Sequence, residues 1–401
     1  MRCRLPVPFL GRGDGAGAEG DVDLIDTDPD HTPVIGPPNQ GEPRPGEMPR
    51  LARHQITLAD GHKVGIAVCG RGVPLVMVHG FTAEGLLYAQ TLSRLVSAGY
   101  KVVAIDTAGH GSTQGLPPGG AEISEYSRLL RRVVDHLGIK QAVFVGHSMG
   151  GRMVTELAAD NPERALSVIL LDAIVGETWD KLVTLFRTNP LLLGWIGAVL
   201  ALDSVATVPL LRDPGQAMKL ARLTQGMLLR TAVNPLRLAG PGLSIIRSTP
   251  SKPLLEQLRR KGIPLMAIHG DRDIAVPLST GRSAARIAGG QLVVVEGGSH
   301  SWLLKDPETF PAILRESMAS PMGQQGRDSM FRKAGIDPRA ATFDDIERAF
   351  YEPGALIHRL TPAFDPLWRE PAPRLPKFRW HAEDLDLLDE EEDPEPTADA
   401  A

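Results

Sequence analysis

The sequence predicts an α/β protein built on an open, mostly parallel, doubly wound sheet of eight strands. Short runs rich in Val, Ile and Leu alternate with helical patterns along the middle of the chain. After the first two, these runs are apolar throughout, as expected for strands buried on both faces of a parallel sheet. In such sheets ligands bind at the carboxyl ends of the strands, so the chemistry is expected at that edge.

The predicted strands begin with a hairpin. The runs "RHQITLAD" and "HKVGIAVCG" meet at Asp60-Gly61, a dipeptide that favours an antiparallel turn. The other six strands follow as "VPLVMVHG", "YKVVAID", "QAVFVGH", "ALSVILLDA", "IPLMAIHGD" and "QLVVVEGG". Helical patterns separate them. One example is "EISEYSRLLRRVVDHLG", in which apolar residues recur at three- and four-residue steps until Gly138.

Composition divides the chain into four kinds of segment. Residues 1–50 are rich in Gly, Pro and Asp and have no apolar period, which predicts a disordered extension. The sheet core is expected at 51–173 and 260–320, separated by a long insertion at 174–259. Residues 321–401 are Pro-rich and acidic. We expect them to be largely disordered, with one short helix at "TFDDIERAFYE".

The overall composition excludes several classes of function. The net charge of −5 and the lack of a basic face argue against a nucleic-acid partner. The two cysteines, Cys3 and Cys69, form neither a disulfide framework nor a metal-binding spacing, so we expect a reducing, cytoplasmic compartment and no metal or cofactor. The longest uncharged run, between Arg187 and Asp203, is shorter than the roughly 18 to 20 residues of a membrane span.

A serine between two glycines is the first candidate for chemistry. The sequence Gly146-His147-Ser148-Met149-Gly150 fits G-x-S-x-G, and it lies where a strand ends and a helix begins. A sharp turn at that point needs small residues, and it exposes the serine hydroxyl above the sheet. Ser148 is therefore the candidate nucleophile.

A serine hydroxyl needs a base to take its proton, and the base needs an acid to hold its tautomer. His300, which follows the last predicted strand in "GGSHSWL", is the candidate base. The preceding strand ends in "DRDIAVP", which offers Asp271 and Asp273 as acids, and Asp172 after the sixth strand is a third candidate. His147 and His269 lie within or beside strand ends, where roles in packing or turns are expected.

Five motifs in order, "VHGF", "DTAGHGST", "GHSMGG", "HGDRDIAVP" and "GGSHSWL", resemble those of the α/β-hydrolase family over about residues 54–318. The family pattern G-x-x-D-x-x-V-P implies that the acid is Asp273. It also implies an oxyanion hole formed by the backbone N–H groups of Phe81 and Met149. Thr107-Ala108 replaces the usual Arg-Gly-type sequence in a loop that is structural in most members.

The resemblance implies further features. The insertion at 174–259 should be a helical cap, and its mostly aliphatic sequence favours a hydrophobic acyl group. Related dehalogenases and epoxide hydrolases carry Asp where this chain has Ser148, which favours acyl transfer to serine. We disfavour an aminopeptidase because carboxylates are sparse in the insertion.

The expected function is hydrolysis of a carboxylic ester by an esterase or lipase-like serine hydrolase through an acyl-enzyme, with a small acyl ester as partner. An amidase, thioesterase, C–C hydrolase or cofactor-free perhydrolase would use the same triad, and a non-catalytic adaptor acting through its tails is an alternative of another class. Packing of residues 191–202 on the sheet is an alternative to a role in the acyl pocket, and contact of Trp195 and its neighbours with a membrane surface is a third. The acidic C-terminal tail is expected to be a solvating end, with a docking segment for a protein partner as the alternative. Deleting residues 366–401 is expected to leave ester hydrolysis unchanged.

Overall fold

The computed structural model describes residues 51–81, 88–117, 122–189, 191–192, 239–361 and 378–385. The expectations for residues 1–50, for Trp195 and most of the insertion, and for the acidic end after 385 concern parts of the chain outside these ranges.

The described residues form one nine-stranded sheet in the order β1-β2-β4-β3-β5-β6-β7-β8-β9. The strands are β1 (Ala52–Thr57), β2 (Lys63–Cys69), β3 (Val73–Val78), β4 (Tyr100–Ile105), β5 (Ala142–His147), β6 (Ala165–Leu171), β7 (Leu265–Gly270), β8 (Gln291–Glu296) and β9 (Arg379–Glu383). Strands β3 to β8 run parallel, while β1-β2, β2-β4 and β8-β9 are antiparallel pairs. Every residue of β3, β4 and β5 is buried, which explains their mostly apolar sequences.

The α-helices of the described residues lie between and after these strands. They are α1 (Ala89–Val96), α2 (Ile123–His136), α3 (Met149–Asp160), α4 (Glu177–Thr188), α5 (Ala239–Arg247), α6 (Lys252–Arg260), α7 (Leu278–Ala288), α8 (Trp302–Lys305), α9 (Thr309–Ala319), α10 (Pro321–Lys333), α11 (Phe343–Phe350) and α12 (Leu356–Leu360). None of these helices combines the length and apolar composition needed to cross a bilayer.

The mostly parallel doubly wound sheet is confirmed, with one strand more than the eight predicted. The ninth strand, β9, comes from the tail, and it pairs with the free edge of β8. Glu383 at its end accepts two hydrogen bonds from the guanidinium of Arg282, at 2.8 and 2.6 Å. Just before β9, the Phe378 ring meets the Trp302 ring edge-on at 6.4 Å. This part of the tail is thus packed on the sheet because it covers an otherwise open edge.

Residues 321–361 also differ from the expected disorder. They form α10, α11 and α12, of which α11 is the short helix predicted from "TFDDIERAFYE". Thr342 and Asp345 form a capping box at its start, and the fully buried Phe350 anchors its end. The buried Tyr351 hydroxyl then donates to the Gly72 carbonyl at 2.8 Å. The apolar residues that lie between the prolines are what attach this segment to the core.

The described parts of the insertion are helical. They comprise α4, α5 and α6, while residues 193–238 lie outside the described ranges. Helix α6 packs against α3 and α7, two helices of the sheet core. The chain therefore returns to the core already at α6, a few residues before the expected boundary at 260.

Candidate active site

Ser148 lies in a strained turn between β5 and α3. Its backbone has φ 53° and ψ −120°, and Asp172 is the other non-glycine residue with positive φ in the described part of the chain. Such a conformation costs on the order of 1–3 kcal/mol and persists where the surroundings fix it. Here the Ser148 N–H donates to the Leu171 carbonyl at 2.9 Å, and its carbonyl accepts from the Gly151 N–H at 3.0 Å.

Two glycines make this turn sterically possible. A Cβ added to Gly146 would lie 2.4 Å from the Gly150 carbonyl oxygen. A Cβ on Gly150 would lie 2.3 Å from the Val78 carbonyl oxygen on the neighbouring strand. Both distances are far below contact range, so the sharp strand-to-helix turn that carries Ser148 requires glycine at both positions, as the motif predicts.

His300 follows β8 and is bound to Asp273, which follows β7. The Nδ1–H of His300 donates to Oδ2 of Asp273 at 2.7 Å, and both side chains are buried. The other carboxylate oxygen of Asp273 accepts from the N–H groups of Ala275 and Val276 at 2.9 and 2.8 Å. Since Nδ1 carries the proton, Nε2 of the neutral ring is left as a base.

The ionisation of Asp273 suits this role. Burial alone would raise the pKa of its carboxyl, but the charge of His300 and the hydrogen bond from its ring outweigh that effect and lower the pKa. The carboxylate therefore stays charged, and it stabilises the imidazolium that forms when His300 takes a proton.

His147 joins the serine turn to the histidine loop. Its Nε2–H donates to the His300 carbonyl at 2.9 Å, because a carbonyl can only accept, and its Nδ1 accepts from the Tyr88 hydroxyl at 2.9 Å. The His147 and His300 ring centroids are 4.9 Å apart. Burial and the neighbouring His300 lower the pKa of His147 to about 3, so this link stays neutral. Residue 147 occupies a variable position of the G-x-S-x-G motif, so the motif does not predict that it joins the two loops.

The two alternative acids lie elsewhere. Asp271 is exposed, and its carboxylate accepts from the Gly297 N–H. Asp172 is fully buried and accepts from the Gly270 N–H at 2.8 Å and the Trp302 Nε1–H at 2.6 Å. Burial and the charge of Asp273 raise the pKa of Asp172 well above its usual range, which favours its neutral form. Of the three candidate acids, Asp273 is the one hydrogen-bonded to the His300 ring.

The two residues expected to donate to an oxyanion adjoin Ser148, Met149 directly along the chain and Phe81 through its neighbour Gly80. Met149 is the first residue of α3, where backbone N–H groups have no partner within the helix. The chain after β3 passes directly over the serine, because a Cβ on Gly80 would lie 3.0 Å from Ser148 Cβ. Phe81 follows immediately. Its ring is half-buried and packs against the core.

Comparison with known proteins shows the family of this chain. A sequence model of the alpha/beta hydrolase fold matches residues 73–307, which is more than half of the chain. The chain belongs to the alpha/beta hydrolase family. The match includes Ser148, Asp273 and His300, and residues before 73 and after 307 lie outside it.

Individual relatives of this hydrolase have varied names. A candidate non-heme haloperoxidase of Mycobacterium phage D29 is 38% identical over 264 residues, which cover 64% of this chain and 92% of the phage protein. A non-heme haloperoxidase of Rhodococcus erythropolis is 27% identical over 271 residues, covering 65% and 97%. The solved structure of an enol-lactonase from Burkholderia xenovorans LB400 superposes with a TM-score of 0.52 at 21% identity, covering 66% of this chain and all of that one. This structural likeness shows the fold, and the family places the chain among hydrolase enzymes.

One group of side chains in the described part of this hydrolase has the composition of a metal site. Asp172, His269 and Asp273 each offer a ligand atom within 4.8 Å of the others. Hydrogen bonds already engage these atoms. The Nε2–H of His269 donates to the Val276 carbonyl at 2.8 Å, and burial lowers the pKa of this ring. The carboxylates of Asp172 and Asp273 both accept backbone N–H groups. His269 thus holds the loop that carries Asp273, which agrees with the packing or turn role expected at this position.

Proposed function

We propose that the protein is a serine hydrolase that cleaves carboxylic esters through an acyl-enzyme intermediate. The observations that carry this proposal are the buried pair of His300 and Asp273, with Nδ1 bound to the carboxylate, and a serine held in a strained turn. The two are linked through His147, the residue before Ser148, which bonds the His300 carbonyl. The known chemistry of such an arrangement is acyl transfer.

In the proposed mechanism, Ser148 attacks the ester carbonyl while Nε2 of His300 takes its proton. Asp273 stabilises the resulting imidazolium. The N–H groups of Phe81 and Met149 donate to the oxyanion of the tetrahedral intermediate, each contributing on the order of 3 kcal/mol. His300 then protonates the leaving alkoxide, and water repeats the sequence to release the acid.

A matched pair of serine variants tests the proposal. Ser148→Ala should lower kcat for p-nitrophenyl butyrate by at least about 10⁴-fold without unfolding the chain. Ser127→Ala is the control, because this serine is also buried but lies on α2, where its hydroxyl donates to the Met153 carbonyl. Full activity in Ser148→Ala would refute the assignment.

The acyl group is proposed to be hydrophobic. The insertion at 174–259 is mostly aliphatic in sequence, and helix α5 brings Gly242 within 3.4 Å (measured from an added Cβ) of the Phe81 ring. Each methylene buried in an apolar pocket contributes about 0.8 kcal/mol, or roughly fourfold in kcat/KM. A series of p-nitrophenyl esters should therefore show kcat/KM rising from acetate through hexanoate, and a flat or falling series would argue against an apolar pocket.

The names of the two haloperoxidase relatives support a second candidate. If hydrogen peroxide replaces water as the acceptor, the acyl-enzyme yields a peracid and free Ser148. Bromination of monochlorodimedone in acetate, peroxide and bromide would detect this activity. It should disappear in Ser148→Ala, and bromination that persists in this variant would exclude the acyl-enzyme route.

A further inference from the structure

Two buried histidines, His79 and His110, lie side by side behind the loop that follows β3. Their ring centroids are 4.9 Å apart, and the rings meet edge to face. His79 is fully buried and His110 is 4% exposed. Neither is a member of the proposed triad, yet both rings bond the backbone beside the expected oxyanion donor.

The hydrogen bonds fix the tautomer of His79. Its Nε2 accepts the backbone N–H of Thr107 at 2.9 Å. The neutral ring therefore carries its proton on Nδ1, which donates to the Gly80 carbonyl at 2.8 Å. Burial, and to a lesser extent the neighbouring His110, lower the pKa of His79 to about 3, so this bond persists across the working pH range.

His110 makes the complementary contact. Its Nε2 is hydrogen-bonded to the Phe81 carbonyl, and since a carbonyl only accepts, Nε2 carries a proton. On the other side of the ring, Nδ1 lies 3.0 Å from the Thr107 hydroxyl and 3.2 Å from the Ala108 carbonyl, and these two groups hold the ring in place. Thr107 thus anchors both histidines, one through its backbone and one through its side chain.

Peptide geometry turns these contacts into an orientation. In a trans peptide the C=O of one residue and the N–H of the next point in opposite directions. Because the Gly80 carbonyl faces the His79 ring, the N–H of Phe81 faces away from it. Gly80 itself lies against Ser148, with an added Cβ 3.0 Å from Ser148 Cβ.

We propose that Thr107, His79 and His110 form a clamp that holds the Phe81 N–H towards Ser148 as a preset oxyanion donor. The clamp fixes the two carbonyls that flank this N–H, those of Gly80 and Phe81. A donor fixed in advance needs no reorganisation when charge develops on the substrate, and this is the condition for strong oxyanion stabilisation. These are positioning residues, and the inference rests on the proposed acyl transfer.

Variants at Thr107 test the clamp with little disturbance. Thr107→Val removes the hydroxyl that contacts the His110 ring but keeps the backbone N–H that binds His79, and Thr107→Ser keeps both. We expect Thr107→Val to lower kcat about tenfold with KM nearly unchanged. Complete loss of one oxyanion-hole donor lowers kcat about 10²–10³-fold, and a misplaced donor should lower it less. Thr107→Ser should restore most of the activity. Thr113→Val is the control, because this hydroxyl in the same loop donates to the Asp106 carbonyl and accepts the Gly65 N–H, and it bonds neither histidine ring.

Variants at His110 test the clamp independently of Thr107. In His110→Gln the side-chain amide can donate from near the Nε2 position, whereas His110→Leu has no donor. We expect His110→Leu to lose about 100-fold in kcat and His110→Gln to lose much less. The affinity of a trifluoromethyl ketone, whose adduct carries an oxyanion, should fall by the same factor as kcat/KM in each variant.

Two outcomes would overturn the clamp. In the first, Thr107→Val and His110→Leu are less thermally stable but keep wild-type kcat. In the second, kcat falls while the ketone binds as tightly as before. Absence of ester turnover and of ketone binding in the wild type would instead refute the proposed function, and the clamp with it.

Discussion

Replacing Asp273 by asparagine should inactivate the enzyme through the histidine tautomer rather than through the lost charge alone. Oδ1 of Asp273 accepts two N–H groups, from Ala275 and Val276, so the single oxygen of the asparagine side chain would stay in that position. The NH₂ group of the new side chain would then face His300. Two donors cannot share a hydrogen bond, so the ring would move its proton to Nε2 and lose its ability to accept the proton of Ser148.

The expected magnitude follows from that tautomer. An Asp→Asn change that imposes the wrong tautomer lowers kcat by about 10⁴-fold, which corresponds to about 5.5 kcal/mol. The fall in kcat is measured by steady-state hydrolysis of p-nitrophenyl butyrate. Chemical denaturation of the same samples shows whether Asp273→Asn is folded.

Asp172→Asn is the matched comparison. Asp172 is favoured in its neutral form, so the substitution changes little charge, but it leaves either the Trp302 or the Gly270 N–H facing an NH₂ group. We expect kcat within about tenfold of wild type and a loss of about 1–3 kcal/mol in the free energy of unfolding. The reverse pattern, with Asp172→Asn inactive and Asp273→Asn active, would refute the assignment of the acid.

Three further predictions concern stability. Deleting residues 366–401 should lower the unfolding free energy by on the order of 2 kcal/mol because β9 is lost, whereas deleting residues 386–401 should leave it unchanged. Equal stability of the two truncated proteins in denaturant would contradict this prediction. Burial lowers the pKa of Lys101 to about 8. Between pH 8 and 10.5 the unfolded chain therefore binds one proton more than the folded chain at this residue. The free energy of unfolding, measured relative to that of Lys101→Met, should rise by on the order of 3 kcal/mol as the pH increases across that window. A pH-independent difference between these two proteins would be the contrary result. Gly150→Ala should prevent stable folding, while Gly115→Ala, with open space around it, should melt like wild type.

The sequence predicts the sheet well because its signals are local. Strands β3 to β8 are mostly apolar, and the hairpin at Gly61 and the glycines around Ser148 each have a steric reason. The candidate base is predictable for the same reason, since His300 follows a strand. The choice of Asp273 over Asp271 came from the family resemblance, and the hydrogen bond to His300 now supports it.

What the sequence does not predict depends on contacts between distant segments. Strand β9 has no apolar alternation, and its place depends on the open edge of β8 and on Arg282, about a hundred residues earlier. The roles of three histidines depend on partners that are distant in sequence. These are the Thr107 N–H for His79, the Phe81 carbonyl for His110 and the His300 carbonyl for His147. A window of sequence shows that these residues can form hydrogen bonds, but not which partner they will have.

The central claim, that an acyl group is transferred to Ser148, is tested most directly by trapping the intermediate. Rapid mixing with a p-nitrophenyl ester followed by acid quench and mass spectrometry should show a burst of about one equivalent of p-nitrophenol. The acyl group should be found on the peptide that contains Ser148. Steady turnover without a burst, together with acyl groups on any other residue, would contradict the account.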